Sequence, residues 1–200
     1  MHPVITISRE YGSGGREIGL LVAKKMNVPF YDKELIAQTA QNGFFSPEIL
    51  REYEERIASA PSVFYHTRNI VSFYHQPLST RIYLTQYSLI RKLASEGPCV
   101  IIGRCSDYAL SGHCLSVFVH ADLKARVARK MQLDGNKSAD EIKKRILDID
   151  RQRRRYYEFH TDRKWGSLKN YHLCIDSSSV TTEACADLIY QYALHWSKEE

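Results

Sequence analysis

Apolar residues in this 200-residue chain fall into short β-branched runs separated by longer stretches with helical spacing. Val4 to Ser8 is the first such run and predicts a buried strand. Ile18, Leu21, Val22 and Met26 then recur on one face, so a helix follows. Asn27 to Asp32 is predicted as a second short strand and Lys33 to Gln41 as a helix. Ser46 and Pro47 supply the cap and first residue of another helix, running to about Ala58. Ala60 to Pro77 breaks the pattern. It is rich in Tyr, Phe and His, carries two prolines and has no clean period, and is read as an insertion or cover.

Regular spacing resumes with a helix over Ser79 to Ser95, carrying Ile82, Leu89, Ile90 and Leu93 and stopped by Gly97-Pro98. Cys99 to Ile102 is a wholly apolar strand, Leu115 to His120 another, and Asp122 to Leu133 a helix with Lys124, Arg126, Arg129 and Lys130 along it. Ser138 and Glu141 form a capping box, after which Ile142, Ile146 and Ile149 continue a buried stripe into the run Arg151-Gln-Arg153-Arg154-Arg155. His172 to Asp176 is the last strand, and Thr181 or Thr182 caps a final helix reaching about Trp196. Strands separated by helical crossovers predict an α/β fold with a parallel sheet covered on both faces.

Between the first strand and helix stand Gly12, Ser13, Gly14 and Gly15. Glycines there let the chain turn its N–H groups inward, and the helix behind adds unpaired amides and a positive dipole end, so an anion is favoured. The common phosphate loop reads G-x-x-x-x-G-K-[ST]. In this chain Glu10 replaces the first glycine, Arg16 the lysine and Glu17 the hydroxyl residue. Arg16 keeps a charge that can fork onto phosphate oxygens. Glu17 offers a carboxylate to Mg²⁺. Asp32 sits at a strand end, where open α/β sheets contact ligands, and reads equally well as a helix cap. Arg104 follows a buried strand, where a guanidinium is costly unless it is paired, with Asp107 for example, or bound to a ligand.

Size and charge narrow the reading. Two hundred residues suit one sizeable domain, and 44% apolar residues suit a packed core. No run approaches the roughly 18 apolar residues of a membrane span, so a cytoplasmic protein is expected. Five scattered cysteines without a C-x-x-C pair read as reduced, buried residues, and eight dispersed histidines show no metal spacing. A net charge of +5 suits a phosphorylated ligand without proving one.

As a set, ITISREYGSGGREIG, NVPFYDKELI, VIIGRCSDY, the arginine run with YYEFHTDRKWG, and NYHLCIDSS resemble the cytidylate kinase-like proteins, a branch of the P-loop nucleoside monophosphate kinases. The resemblance spans Ile5 to about Ser178 and is weakest over Gly43 to Pro77. It implies a single domain over residues 1–200, a three-layer sandwich around five parallel strands. An acceptor-side helical insertion is implied at 43–78 and an Arg-rich lid within 134–170. It further implies a phosphotransferase using ATP and Mg²⁺, with CMP or dCMP as acceptor. Gly12, Ser13, Gly14, Gly15, Arg16 and Glu17 would hold the donor, and Asp32, Lys33, Arg104 and Asp107 the acceptor. Arg151, Arg153, Arg154 and Arg155 would form the lid, with Arg16, Arg151 and Arg155 acting in catalysis. Arg16, Glu17 and Ile102, the last where a carboxylate commonly stands, leave the Mg²⁺ ligands unassigned. Small-molecule nucleotides are the expected partners, with no membrane, and a homo-oligomer stays open. Two other readings compete: a nucleotide-binding regulatory module without turnover, and a nucleic-acid binder using the basic run with Tyr156, Tyr157 and Trp165.

Overall fold

The computed structural model describes residues 3–32, 78–133 and 138–196. In chain order the elements begin with β1 (Ile5–Arg9), α1 (Gly15–Met26), β2 (Phe30–Tyr31), α2 (Leu78–Glu96), β3 (Val100–Ile102) and α3 (Ser106–Ala109). They continue with β4 (Leu115–His120), α4 (Leu123–Leu133), α5 (Ala139–Thr161), a 3₁₀ turn at Leu168–Asn170, β5 (Leu173–Asp176) and α6 (Thr182–His195). The helices predicted over 33–41 and 46–58, the insertion over 60–77 and Lys33 lie outside the described residues.

The five strands form one parallel sheet in the order β2-β3-β1-β4-β5, which places β1 at the centre. Its register pairs Ile5 with both Val100 and Leu115, and Ile7 with both Ile102 and Val117. Alternation then divides the side chains between two faces. Ile5, Ile7, Val100, Ile102 and Val117 pack under Ile18 and Val22 of α1 and Ile189 of α6, while Cys99 and Ile101 face Ile90 of α2 and Ala109 of α3. The result is the three-layer arrangement expected from the sequence. All five cysteines are free, and all but Cys174 are buried. No helix among the described residues is long and apolar enough to cross a membrane.

The arginine run lies within one long helix. The Ser138–Glu141 capping box starts α5, and the helix continues unbroken for 23 residues to Thr161. Its buried stripe, Ile142, Ile146, Asp150, Tyr157 and Thr161, passes straight through the arginines, so the run is the second half of a helix packed on the domain. The short α3 escapes sequence reading because four residues are too few to show a period.

Helix α5 meets α2 through aromatic rings. His160 stacks on Tyr83 with centroids 4.1 Å apart and an interplanar angle of 7°. Burial holds the imidazole pKa down from 6.5 to about 4. The unfolded chain therefore binds a proton that the native one refuses, and native stability should fall as pH drops from 6.5 towards about 4. His160→Phe keeps the stacking and removes the proton. Its melting temperature, followed across that window, should depend less on pH than that of the wild type.

Candidate active site at the carboxyl ends of the strands

Because the sheet is parallel, every strand delivers its carboxyl end to the same edge. β1 ends at Arg9 and opens into the glycine loop, β2 ends beside Asp32, and β3 ends at Gly103 and Arg104. Gly12 and Gly14 hold φ of 84° and 78°, the left-handed conformation that turns the loop back on itself. Gly14 caps α1, and among the described residues the amides of Gly15, Arg16 and Glu17 have no backbone acceptor. Three N–H groups without a backbone acceptor thus stand at the positive end of the helix dipole.

Cations from α4 hold the loop in this shape. Arg126 is 6% exposed and donates to the Tyr11 carbonyl at 3.3 Å. It also pairs with Asp150 of α5 and lies 3.5 Å from the Glu10 carboxylate. Asp150 in turn accepts the Tyr11 amide at 2.7 Å, and Glu10 accepts the Ala121 amide at 3.1 Å. Glu10, which stands where the common loop has glycine, is therefore a brace. Arg129 donates to the carbonyls of Gly12 at 2.8 Å and Ser177 at 3.1 Å, and the Ser177 hydroxyl donates to Ser13 at 2.6 Å.

Beside the loop, over β1 and β3, lies a cavity of about 400 Å³. Arg9, Arg104 and Arg153 line it together with Tyr156, Tyr157 and Trp165. Arg153 donates to the Arg9 carbonyl at 2.9 Å, and the Arg104 guanidinium lies over the Tyr156 ring. The Tyr156 hydroxyl is fixed by donating to Gln86 at 3.0 Å. Burial lowers the pKa of both Arg9 and Arg153, and for Arg9 repulsion from Arg153 and Arg104 adds to it. A larger depression of about 890 Å³ along α6, lined by His172, Leu188, Tyr192 and Trp196 among others, has no Lys or Arg in its described lining. Positive charge separates the two. The smaller cavity, which Tyr11 borders just ahead of the glycine loop, can hold an anion.

The sequence-predicted residues are placed as follows. The Arg16 guanidinium pairs with Asp32 at 2.6 Å. Arg104 lines the cavity, whereas Asp107 is buried behind it and accepts from the Tyr157 hydroxyl at 2.6 Å, fastening α3 to α5. Desolvation raises the Asp107 pKa. Of the four arginines of the run, only Arg153 lines the cavity. Arg151 is exposed and pairs with Asp148 at 2.9 Å, Arg154 is exposed, and Arg155 is half-buried. Successive helical residues point about 100° apart, so Arg153 and Arg154 face different sides of α5. Arg9 was not singled out in the sequence, although it ends a buried strand much as Arg104 follows one. Trp165 was singled out only for nucleic acid.

P-loop kinases in general use Mg²⁺. Among the described residues no three His, Cys, Asp or Glu side chains cluster to hold a metal. Among the described residues near the loop, Asp32 is engaged by Arg16, Glu10 and Asp150 are engaged by Arg126, and Glu17 is the remaining carboxylate. The described side chains therefore do not by themselves make a protein-held Mg²⁺ centre.

A central parallel sheet, a glycine loop leading from β1 into α1 and cationic side chains at adjoining strand ends define the architecture as that of the P-loop kinases. Solved structures share it. A shikimate kinase from Bacteroides thetaiotaomicron is 14% identical, covers 96% of this chain and 98% of its own, and superposes with a TM-score of 0.51. For a gluconokinase from Sinorhizobium meliloti the identity is 14%, the coverage 95% and 94%, and the TM-score 0.52. These two show the fold alone. An uncharacterised protein from Eubacterium ventriosum is nearer, at 26% identity over 98% of this chain and 100% of that one, with a TM-score of 0.74. No curated protein sequence matches significantly. The chain belongs to the cytidylate kinase-like family, whose sequence profile matches residues 4–179.

Asp150→Ala would leave Arg126 buried with only Glu10 beside it and would release the Tyr11 amide. Urea unfolding should register a loss of about 3 kcal/mol, the lower end of the cost of breaking a buried pair, since one carboxylate remains.

Proposed function

We propose that the protein is a phosphotransferase that moves the γ-phosphoryl group of ATP to a nucleoside monophosphate held in the arginine-lined cavity, with CMP or dCMP as the acceptor. The observation that carries this reading is that two anion-seeking surfaces stand at the carboxyl edge of one parallel sheet: the amides at the start of α1, and the cavity lined by the guanidinium groups of Arg104 and Arg153. Phosphoryl transfer asks chiefly for in-line positioning and for positive charge around the equatorial oxygens. The attacking phosphate oxygen is already anionic, so no general base is required. Family membership favours a nucleotide acceptor. The size of the cavity, about 400 Å³, lies at the lower end of the range for small-molecule sites.

In this mechanism the amides of Gly15, Arg16 and Glu17 take the donor phosphates. Arg104 grips the acceptor phosphate from beneath α5, and Arg153 bridges the two from above. Tyr156, Tyr157 and Trp165 give the acceptor an aromatic wall and keep water from the reacting oxygens. Arg16 turns from Asp32 to the donor once phosphate arrives, because a dianion outcompetes a single carboxylate for its fork. Nucleotide binding without turnover is the second reading. It is favoured by the Arg16–Asp32 pair, which occupies the loop cation, and by the absence of a carboxylate at Ile102.

Release of ADP from ATP and Mg²⁺, followed across a panel of nucleoside monophosphates, tests the proposal. CMP or dCMP should give the highest kcat/KM. Arg104→Ala should raise KM for the acceptor at least tenfold with little change for ATP, and Arg16→Ala should reduce kcat by about 10² or more. ATP binding with no ADP formed across the whole panel would select the second reading.

A further inference from the structure

Arg9 has no assigned role, and its setting is not that of a structural arginine. It ends the central strand with its guanidinium laid across Gly103: a Cβ on Gly103 would come within 2.1 Å of Arg9 Nη1. Gly103 itself holds φ of 71°, a backbone conformation that favours glycine there. Arg153 crosses above and donates to the Arg9 carbonyl at 2.9 Å, and Arg104 follows Gly103 directly. Among the described residues Arg9 forms no ion pair, and the carboxylate that acts on it, Asp32, is engaged at 2.6 Å by Arg16.

Contrast this with Arg126, which is more deeply buried than Arg9 and which two carboxylates neutralise. Confining a guanidinium among like charges weakens the fold, and an apolar side chain of similar volume would serve packing better. A concave surface lined by three guanidinium groups gives that charge a use, since only an anion relieves it.

We propose that Arg9, with Arg104 and Arg153, forms a phosphate-dianion site of its own, distinct from the glycine loop, and that Arg9 is the floor that makes the cavity select phosphate monoesters over neutral alcohols. The selection rests on the reading of the cavity as the acceptor site; the anion site does not. Arg9 is a specificity-determining residue here: beside Arg104 and Arg153 it adds a third guanidinium to the cavity at the end of β1.

Calorimetric titration of the full chain with inorganic phosphate, in a phosphate-free chloride buffer with and without saturating ADP, tests this. The wild type should bind phosphate in both conditions. Arg9→Met should weaken the ADP-insensitive site at least tenfold and raise the melting temperature of the ligand-free protein by about 2–4 °C, as relief of a buried repulsion would. Lys24→Ala, which removes a charge from the far end of α1, should change neither. If Arg9→Met gives no folded protein, Arg9→Lys decides, because it keeps the charge and loses the fork: phosphate binding at least fivefold weaker supports the site. A phosphate site that ADP abolishes, or wild-type phosphate affinity in the folded Arg9 variant, overturns it, as does a lowered melting temperature in Arg9→Met with phosphate affinity unchanged. Comparison of CMP with cytidine separates the two proposals. Arg9-dependent phosphate binding with CMP no tighter than cytidine keeps the anion site and removes the acceptor assignment.

Discussion

The Arg126 guanidinium is the interaction on which the site depends. It lies beneath the glycine loop and meets the Tyr11 carbonyl, the Asp150 carboxylate and, at 3.5 Å, the Glu10 carboxylate. Loop, α4 and α5 are thereby joined through one charge that cannot be removed without leaving two carboxylates in poor surroundings. A glycine-rich turn has high conformational entropy, and without such bonds its amides would spend little time in one arrangement. With them, the loop is held by side chains from the far half of the sequence.

The arginines of this protein sort by their partners. Arg126 and Arg151 are matched by carboxylates within their own neighbourhood, one to support the loop and one on the outside of α5. Arg129 and Arg153 are matched by main-chain carbonyls, which accept hydrogen bonds but cancel no charge. Positive potential therefore survives at the strand ends while the structural cations are neutralised. Arg16 occupies a middle position. Its pairing with Asp32 spans the mouth between α1 and β2, so the residue that stands for the loop lysine is held by the neighbouring strand end.

Much of the fold could be read directly from the chain. β4 spans the residues that its apolar run predicts, the capping box at Ser138 and Glu141 opens α5, and Thr181 caps α6 through its hydroxyl. Each of these signals is local: alternation, period or a side chain reaching its own backbone. Legibility failed where a residue's surroundings come from elsewhere. Glu10 reads as a lost glycine and braces the loop; Asp107 reads as a partner of Arg104 or a ligand contact, and its bond from Tyr157 has no signal along the chain; of the four arginines it is Arg153 that lines the cavity.

What the sequence determined by itself was the succession of strands and helices, the parallel sheet they require and the glycine turn between the first two elements, because period and steric freedom are properties of neighbouring residues. Which guanidinium groups face the cavity was decided only by the tertiary structure. Arg9 and Arg153 are more than a hundred residues apart, and nothing along the chain tells that one donates to the other's carbonyl. Charge at a site is a sum over space, and the distances in that sum exist only once the sheet has set its strand order and α5 has packed across it.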